Sequence, residues 1–92
     1  MIRTFKTRAA EQLFRGKRLA LFAAIERPAL RKLKMLHAAA LLSDLRSPPG
    51  NRLKSLRGNR QGQYSIRIDD QYRVCFVWRD GDAYEVEIAD YH

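Results

Sequence analysis

Hydrophobic residues in the first half of the chain recur at intervals of three and four: Leu30, Leu33, Leu36, Ala40 and Leu41. This spacing lines one face of a helix, and Pro28 suits the first turn of that helix. A shorter helix is predicted over residues 9–15, with Thr7 as its N-cap and Gly16 as its stop. The helix breakers at residues 47–50 predict the end of the helical half of the chain.

Hydrophobic and polar residues alternate in the second half of the chain. The alternation predicts three strands, over residues 64–69, 72–79 and 83–90. Residues 80–82 form a turn between the last two strands. Residues 53–56 predict a further short strand, and residues 2–5 predict another. The sequence therefore predicts an α+β fold, in which a small antiparallel sheet is packed by N-terminal helices.

The hydrophobic faces of two neighbouring strands fix their register. Each strand has one face that we expect to point at the helices: Tyr64, Ile66 and Ile68 on one strand, and Tyr72, Val74, Phe76 and Trp78 on the next. Matching the two faces leaves residues 69–71 as a loop and sets Arg67 opposite Arg73. Two facing arginines repel each other by roughly a few tenths to 1 kcal/mol, which indicates an anion such as phosphate between them. The alternative is that Glu85, Glu87 or solvent neutralises the pair.

The last strand brings a histidine to the edge of the predicted sheet. Its alternation puts two sets of residues on opposite faces: Tyr84, Val86 and Ile88 on one, and Glu85 and Glu87 on the other. Strict alternation puts Asp90 on the same face as Tyr84. The strand leads directly into Tyr91 and His92, so it limits the conformational freedom of these two residues. The other histidine, His37, is expected on the surface of its helix.

The length of 92 residues accommodates one small domain, which we expect to span residues 1–92. No segment has the roughly 20 apolar residues that a membrane helix needs, and no signal-peptide core follows the first residues. The expected location is therefore the cytoplasm, without a membrane partner. Cys75 is the only cysteine, which excludes an internal disulfide framework and a cysteine-based zinc site.

Lysine and arginine outnumber acidic residues by 18 to 10, and the net charge of +8 favours a polyanionic partner. No acidic residue lies between Asp44 and Asp69, a stretch that holds six cations: Arg46, Arg52, Lys54, Arg57, Arg60 and Arg67. Two interpretations stay open, a solvated basic loop and a phosphate-binding platform. In the second, the arginines outside the predicted catalytic group bind RNA: Arg46, Arg52, Arg57 and Arg60.

Three short motifs occur in order along the chain: Pro-Pro-Gly-Asn-Arg-Leu at residues 48–53, Asp-Gln-Tyr-Arg at residues 70–73 and Asp-Tyr-His at residues 90–92. In this order and spacing, the chain resembles the HigB group of RelE-like toxins, most strongly over residues 42–92. The resemblance implies a RelE-like fold and ribosome-dependent endoribonuclease activity on messenger RNA. It also implies neutralisation by a HigA-like antitoxin with a helix-turn-helix domain, through which alone the toxin contacts operator DNA.

Cleavage of RNA by its own 2′-hydroxyl requires an enzyme that stabilises the phosphorane oxygens and protonates the leaving group, so no metal or cofactor is expected. Arg67 and Arg73 suit the phosphate oxygens. Lys54 adds a point charge there or is a solvated strand lysine. His92 has the side-chain type that carries protons near neutral pH, and Tyr91 stacks on a base or bonds to the phosphate. The resemblance implies catalytic roles for the same positions, with Lys54 the least secure match.

Two other functions fit part of the pattern. A non-catalytic RNA- or ribosome-binding module would use the same arginines without turnover, but it gives no role to His92. A subunit that only binds an acidic protein would also use the basic surface. Tyr64, Tyr72 and Trp78 are interpreted as core residues and not as base-stacking platforms, because they share the parity of the hydrophobic face. Cys75 is expected to pack at a sheet surface and not to act as a nucleophile.

Overall fold

The structure is a computed structural model that describes residues 1–60 and 62–91, with Arg60 described through its backbone alone. Helix α1 covers Arg8–Phe14 and helix α2 covers Glu26–Ala38. Short 3-10 turns connect the helices and strands, at Ala20–Ile25, Leu42–Arg46, Pro49–Asn51 and Gly58–Arg60. The strands are β1 (Lys54–Ser55), β2 (Gln63–Arg67), β3 (Tyr72–Arg79) and β4 (Asp82–Asp90). They form one antiparallel sheet in the order β1-β2-β3-β4, which confirms the predicted α+β fold.

Helix α1 begins and ends as its sequence predicts. The Thr7 hydroxyl accepts a hydrogen bond of 3.2 Å from the backbone N–H of Ala10, which satisfies one of the free donors of the first turn. Gly16 follows the helix with a φ of 91°, a conformation that favours glycine. Within the described part of the chain, neither helix has the length and apolar character that crossing a bilayer requires.

Helix α2 is shorter than its hydrophobic spacing predicts. Leu33 and Leu36 are fully buried as expected, but the helix ends at Ala38. The Asp44 carboxylate accepts hydrogen bonds of 3.0 Å and 2.9 Å from the backbone N–H groups of Ala40 and Leu41. This cap starts the 3-10 turn that follows and holds Leu41 outside the helix, 63% exposed. The prediction that Ala40 and Leu41 lie on the helix face was wrong for this reason.

The core lies between the helices and one face of the sheet. Ile66 of β2 and Val74 and Phe76 of β3 are fully buried in one cluster with Leu33 and Leu36 of α2. Three aromatic side chains pack against this cluster while partly buried, which agrees with the prediction that they belong to the core: Tyr64, Tyr72 and Trp78.

The register of β2 and β3 is the predicted one. Ile66 pairs with Val74, and Arg67 pairs with Arg73. The backbone N–H of Ile68 donates to the carbonyl of Tyr72 at 2.9 Å, which closes the loop of residues 69–71.

A β-bulge in β4 changes which residues face the core. Cys75 pairs with Glu87, but Val77 pairs with Tyr84, so one extra residue is accommodated opposite β3. Glu85 takes up this residue with a φ of 50°. Tyr84 therefore shares the face of Val77, and the guanidinium carbon of Arg79 lies 4.4 Å from the centre of its ring. The prediction that Tyr84 shares a face with Val86 was wrong, because strict alternation does not survive a bulge.

The N-terminal segment attaches to the outer edge of β4. Ile2 and Phe5 form isolated parallel bridges with Ala83 and Val86, so the short strand predicted over residues 2–5 is reduced to two contacts. The Nδ1 atom of His37 accepts a hydrogen bond of 3.1 Å from the backbone N–H of Ile2. His37 is half-buried in this role, and the expectation of a helix-surface residue was wrong.

Candidate functional site

The predicted site residues lie on the sheet face opposite the helices. Because residues alternate along a strand, Arg67 and Arg73 point away from the face that carries Ile66 and Val74. Cross-strand pairing adds Lys54, Ser65 and Cys75 to this face, because Lys54 pairs with Ser65 and Ser65 pairs with Cys75. We call it the site face. The structure thus brings together Lys54, Arg67 and Arg73, which the sequence analysis selected.

Arg73 is held in place by three acceptors of the protein, the most distant being the Ser65 carbonyl at 3.4 Å from Nη2. Its Nε donates a hydrogen bond of 2.7 Å to the hydroxyl of Ser65, and its Nη2 donates one of 2.6 Å to the carbonyl of Arg52. Partial burial lowers the pKa of Arg73 below its ordinary value, and the positive charges of Arg67 and Arg52 contribute in the same direction. Since arginine stays protonated in proteins, the site holds a cation whose charge is poorly solvated. Such a cation favours an anionic ligand.

Arg67 forms an ion pair with the carboxylate of Asp70 in the loop between β2 and β3. The Asp70 side chain is 99% exposed, so the pair is largely screened by solvent. The neutralising groups considered from the sequence were Glu85, Glu87 and solvent. Glu87 instead forms an ion pair of 3.3 Å with Lys6.

Tyr91 completes the site face at the end of β4. Its backbone N–H donates to the carbonyl of Gln71 at 2.6 Å, which fixes the chain direction after the strand. Its hydroxyl lies 3.7 Å from the sulfur of Cys75, and its side chain is 39% exposed. Cys75 lies on the site face as expected but is fully buried there. The predicted proton carrier, His92, lies outside the described residues.

Asp90 belongs to the other face of the sheet. It pairs with Tyr72 across the strands, and its carboxylate accepts a hydrogen bond of 3.1 Å from the side-chain amide of Gln71. This agrees with its predicted parity. Among residues 1–60 and 62–91, no three histidine, cysteine, aspartate or glutamate side chains cluster closely enough to hold a metal ion.

Two of the four predicted RNA-binding arginines lie together. Arg46 and Arg52 line a groove of about 730 Å³ beside β1, together with the partly buried Leu53 and Tyr64. Arg57 is exposed in the segment after β1, and only the backbone of Arg60 is described.

Asn51 is a buried residue that the sequence analysis did not assign a role. Its side-chain amide donates hydrogen bonds of 3.1 Å and 3.2 Å to the carbonyls of Leu45 and Ser47, and its oxygen accepts one from Lys32 of α2. Burial lowers the pKa of Lys32, and Arg31 and Arg67 lower it further. The available signal was the position of Asn51 inside the motif at residues 48–53. Ser65 was missed as well, and nothing in its local sequence marks it as the acceptor for Arg73.

The antiparallel sheet, packed by helices on one face and basic on the other, is the fold of RelE-like toxins. The chain is similar to the YoeB dimer of Staphylococcus aureus, with a TM-score of 0.56, 17% identity, and coverage of 99% of this chain and 97% of that one. It is also similar to a chain of the YoeB–YefM complex of the same organism, with a TM-score of 0.54, 16% identity, and coverage of 100% and 98%. At these identities the similarity concerns the fold alone.

The chain belongs to the HigB-like toxin family, the RelE-like toxins of the type II toxin–antitoxin system HigB, whose pattern matches residues 3–92. Toxin HigB-1 of Vibrio cholerae serotype O1 is 48% identical over 81 residues, which cover 86% of this chain and 85% of that protein. Endoribonuclease HigB of Proteus vulgaris is 39% identical over 41 residues, 45% of each chain. These matches confirm the resemblance found in the sequence motifs.

Proposed function

We propose that the protein is an endoribonuclease that cleaves messenger RNA bound to the ribosome and thereby stops translation. The observation that carries the proposal is the pairing of Arg67 with Arg73 on the site face, next to Tyr91 and Lys54. The name of the Proteus vulgaris relative, Endoribonuclease HigB, supports the same activity.

The reaction begins with the 2′-hydroxyl of the nucleotide before the cut. Its oxygen attacks the adjacent phosphorus and loses its proton, the bond from phosphorus to the 5′-oxygen breaks, and that oxygen gains a proton. The products are a 2′,3′-cyclic phosphate and a 5′-hydroxyl. The nucleophile belongs to the substrate, so the protein has to orient the phosphate, stabilise its extra charge and handle two protons.

Arg67 and Arg73 stabilise the charge that develops on the phosphorane oxygens. Arg73 is held by Ser65 and the Arg52 carbonyl before substrate arrives, so little reorganisation is needed when the charge forms. Arg67 exchanges its exposed partner Asp70 for the phosphate. Lys54 adds positive charge at the edge of the same face, and Tyr91 bonds to the phosphate or stacks on a base. His92 carries the proton to the leaving oxygen.

The ribosome supplies the positioning that the site face lacks. The face is part of an open sheet surface, and the groove beside β1 is the large concavity near it. We infer that the ribosomal A site presents the messenger in a strained, ordered form and that free RNA is cut poorly. A HigA-like antitoxin neutralises the toxin, and the net charge of +8 favours an acidic binding segment. Operator DNA is contacted through that antitoxin.

Induced expression followed by mapping of RNA 5′ ends tests the proposal. New 5′-hydroxyl ends should accumulate inside coding sequences, and they should be absent with Arg73→Ala at equal expression. In the purified system, messenger on translating ribosomes should be cut and the same RNA alone should not. Growth arrest without new ends would favour a non-catalytic ribosome-binding module, and vigorous cleavage of naked RNA would show an independent ribonuclease.

A further inference from the structure

A groove of about 730 Å³ runs beside the edge strand β1 and is not part of the site face. One wall comes from the 3-10 turn Leu42–Arg46 and carries Leu42 and Arg46. The opposite wall carries Leu53 and the ring of Tyr64, which is on the core side of the sheet. The volume is typical of sites for small organic ligands. The lining combines apolar surface, an aromatic ring, two guanidinium groups and two serine hydroxyls.

Arg52 connects this groove to the site face. Its φ of 45° and ψ of 57° are left-handed, and the 3-10 turn Pro49–Asn51 ends at this residue. Its carbonyl accepts the hydrogen bond from Nη2 of Arg73, while the residue itself also lines the groove. Arg52 is therefore a neighbour of both Arg73 and the groove.

We propose that the groove binds a nucleotide of the RNA that flanks the cleaved phosphate, a role that rests on the proposed endoribonuclease function. The interpretation of Tyr64 as core alone is revised here, because its partly buried side chain packs on the core and also lines the groove. The base packs against Tyr64 and Leu53, and Arg46 and Arg52 hold the neighbouring phosphate. Aromatic and apolar surfaces next to arginine side chains bind single-stranded RNA in this way in many proteins. The groove thereby contributes to which nucleotide stands next to the cut.

The surroundings of the groove favour RNA over an acidic peptide. A peptide that docks at a sheet edge commonly adds a strand to it, but β1 has only two residues, Lys54 and Ser55. Arg52 of the groove lining also accepts a hydrogen bond from Arg73 of the site face. The acid-free stretch between Asp44 and Asp69 contributes most of its lining, which suits a phosphate chain.

Titration of the whole protein with uncleavable RNA tests the groove without requiring catalysis. The probes are the four homotrinucleotides with 2′-O-methyl groups, followed by amide chemical shifts in NMR. The amides of Ser43, Leu53 and Ser55 should shift together with that of Arg73. Ser43→Phe, at an exposed position on the groove wall, should fill the base site and weaken binding about tenfold.

A second variant tests the phosphate contact. Arg46→Ala should reduce the salt dependence of trinucleotide binding by about 0.7 in the slope of log affinity against log salt. Arg27→Ala removes the same charge from exposed surface on α2 and should leave that slope unchanged. Thermal unfolding of each variant shows whether the fold is intact.

Cleavage on ribosomes gives the functional measurement. Ser43→Phe should change the base composition next to the cut sites, whereas Ala24→Phe, at an exposed position away from the groove, should not. If wild-type protein cuts messenger but Ser43→Phe changes neither trinucleotide affinity nor the cut sites, the groove proposal is wrong and the endoribonuclease function stands. If Ser43→Phe loses only the binding of a HigA-like antitoxin, the groove binds an acidic protein and the proposal is overturned. If wild-type protein does not cut, the endoribonuclease function fails and the titration alone decides the groove.

Discussion

Arg73 enters its interactions with substrate already oriented. The hydrogen bonds to the Ser65 hydroxyl and to the carbonyls of Arg52 and Ser65 use its Nε and Nη2 donors, and they fix the plane of the guanidinium group. The remaining donors of the five that arginine carries are directed by this plane. A lysine at the same position would keep the charge but not the planar arrangement of donors.

Two replacements of Arg73 should therefore show how much of its contribution to the cleavage rate comes from its charge and how much from its planar donors. Arg73→Ala should lower the rate of messenger cleavage on ribosomes about 10²- to 10³-fold, as for other losses of a preorganised donor. Arg73→Lys should recover only part of that loss. The fold should persist, because the core residues Val74 and Phe76 point to the other face.

Arg79→Ala is the matched control, since Arg79 lies on the same strand and stacks on Tyr84 away from the arginine pair. Single-turnover cleavage with saturating ribosomes measures the effect. Equal rates for wild type and Arg73→Ala would remove Arg73 from the catalytic group.

Asp70 competes with substrate for Arg67. Because the ion pair is exposed at the Asp70 side, its loss costs little folding energy. Asp70→Asn should release Arg67 and raise the affinity of the protein for sulfate about two- to fivefold. Asp80→Asn makes the same charge change at an exposed position in the β3–β4 turn.

Calorimetric titration with sulfate at constant ionic strength compares the two variants. An equal rise in sulfate affinity for Asp70→Asn and Asp80→Asn would indicate a general effect of net charge and not a specific release of Arg67. The double variant Arg67→Ala with Arg73→Ala should show no site-specific sulfate binding.

At this scale, the sequence predicted which arginines meet but not what holds them. Strand parity alone was sufficient to place Arg67 opposite Arg73. The partners of these residues depend on side-chain reach: Ser65 lies diagonally across the strands, and Asp70 lies in the loop. Hydrophobic periodicity contains no information on such contacts, so neither partner was identified.

Among the larger elements, the segment between α2 and β1 has the most specific internal support. Asn51 is fully buried and ties the carbonyls of Leu45 and Ser47 to Lys32 of α2. Arg46 and Arg52, which lie before and after Asn51 in this segment, both line the groove. The motif at residues 48–53 thus has a structural reason in addition to its basic charge.

Asn51→Ala should lower the free energy of unfolding by about 2–3 kcal/mol, because it removes the hydrogen-bond partner of the buried Leu45 carbonyl, of the partly buried Ser47 carbonyl and of Lys32. Activity should fall further than stability explains, since Arg52 also supports Arg73. Asn59→Ala, at an exposed asparagine of the Gly58–Arg60 turn, should change stability by less than about 0.5 kcal/mol. Urea unfolding of the three proteins measures the difference, and a neutral Asn51→Ala would show that the segment is held by packing alone.

The β-bulge in β4 shows where alternation fails as a predictor. A period of two assigns Tyr84 to the core with Val86. The extra residue at Glu85 instead puts Tyr84, which precedes the bulge, on the opposite face. Glutamate has no special preference for a positive φ, so its identity does not mark the bulge. The tertiary contact that accompanies the bulge is a hydrogen bond of 2.8 Å from the Glu85 backbone N–H to the Thr4 hydroxyl, which lies 81 residues away in sequence. A local pattern does not contain that contact.

For the molecule as a whole, the core and the candidate site lie on opposite faces of one sheet. The helices and their sheet face enclose the core, and the site face and the groove present arginines to one partner. The fold class was predictable from the change of hydrophobic period at residues 47–50, because helix and strand spacings differ clearly. The groove was not predictable, since it arises from the 3-10 turns between α2 and β1.

Ribosome binding should weaken steeply as salt rises. Each phosphate contact that is lost should reduce the slope of log affinity against log salt by about 0.7 to 0.9. Arg46→Ala with Arg57→Ala should therefore lower the slope by roughly twice that amount. Neutralising Arg27 and Lys34, which are exposed on α2, should leave the slope unchanged. Binding of labelled protein to ribosomes across a salt series measures the slopes, and equal reductions in both double variants would show that the charge acts without a defined surface.

Because Cys75 is buried next to Tyr91, the reactivity of its thiol measures local opening of the site face. The thiol is inaccessible while the sheet is closed, so an alkylating reagent reaches it only after the segment around it opens. The rate of labelling at excess reagent reports how often that opening occurs, and at low reagent the ratio of the labelling rate to that of an unfolded peptide gives the opening equilibrium. Since Cys75 is the only cysteine of the chain, the signal has a single origin. Protection that increases when RNA or antitoxin is added would show, without any engineered label, that the ligand stabilises the closed sheet.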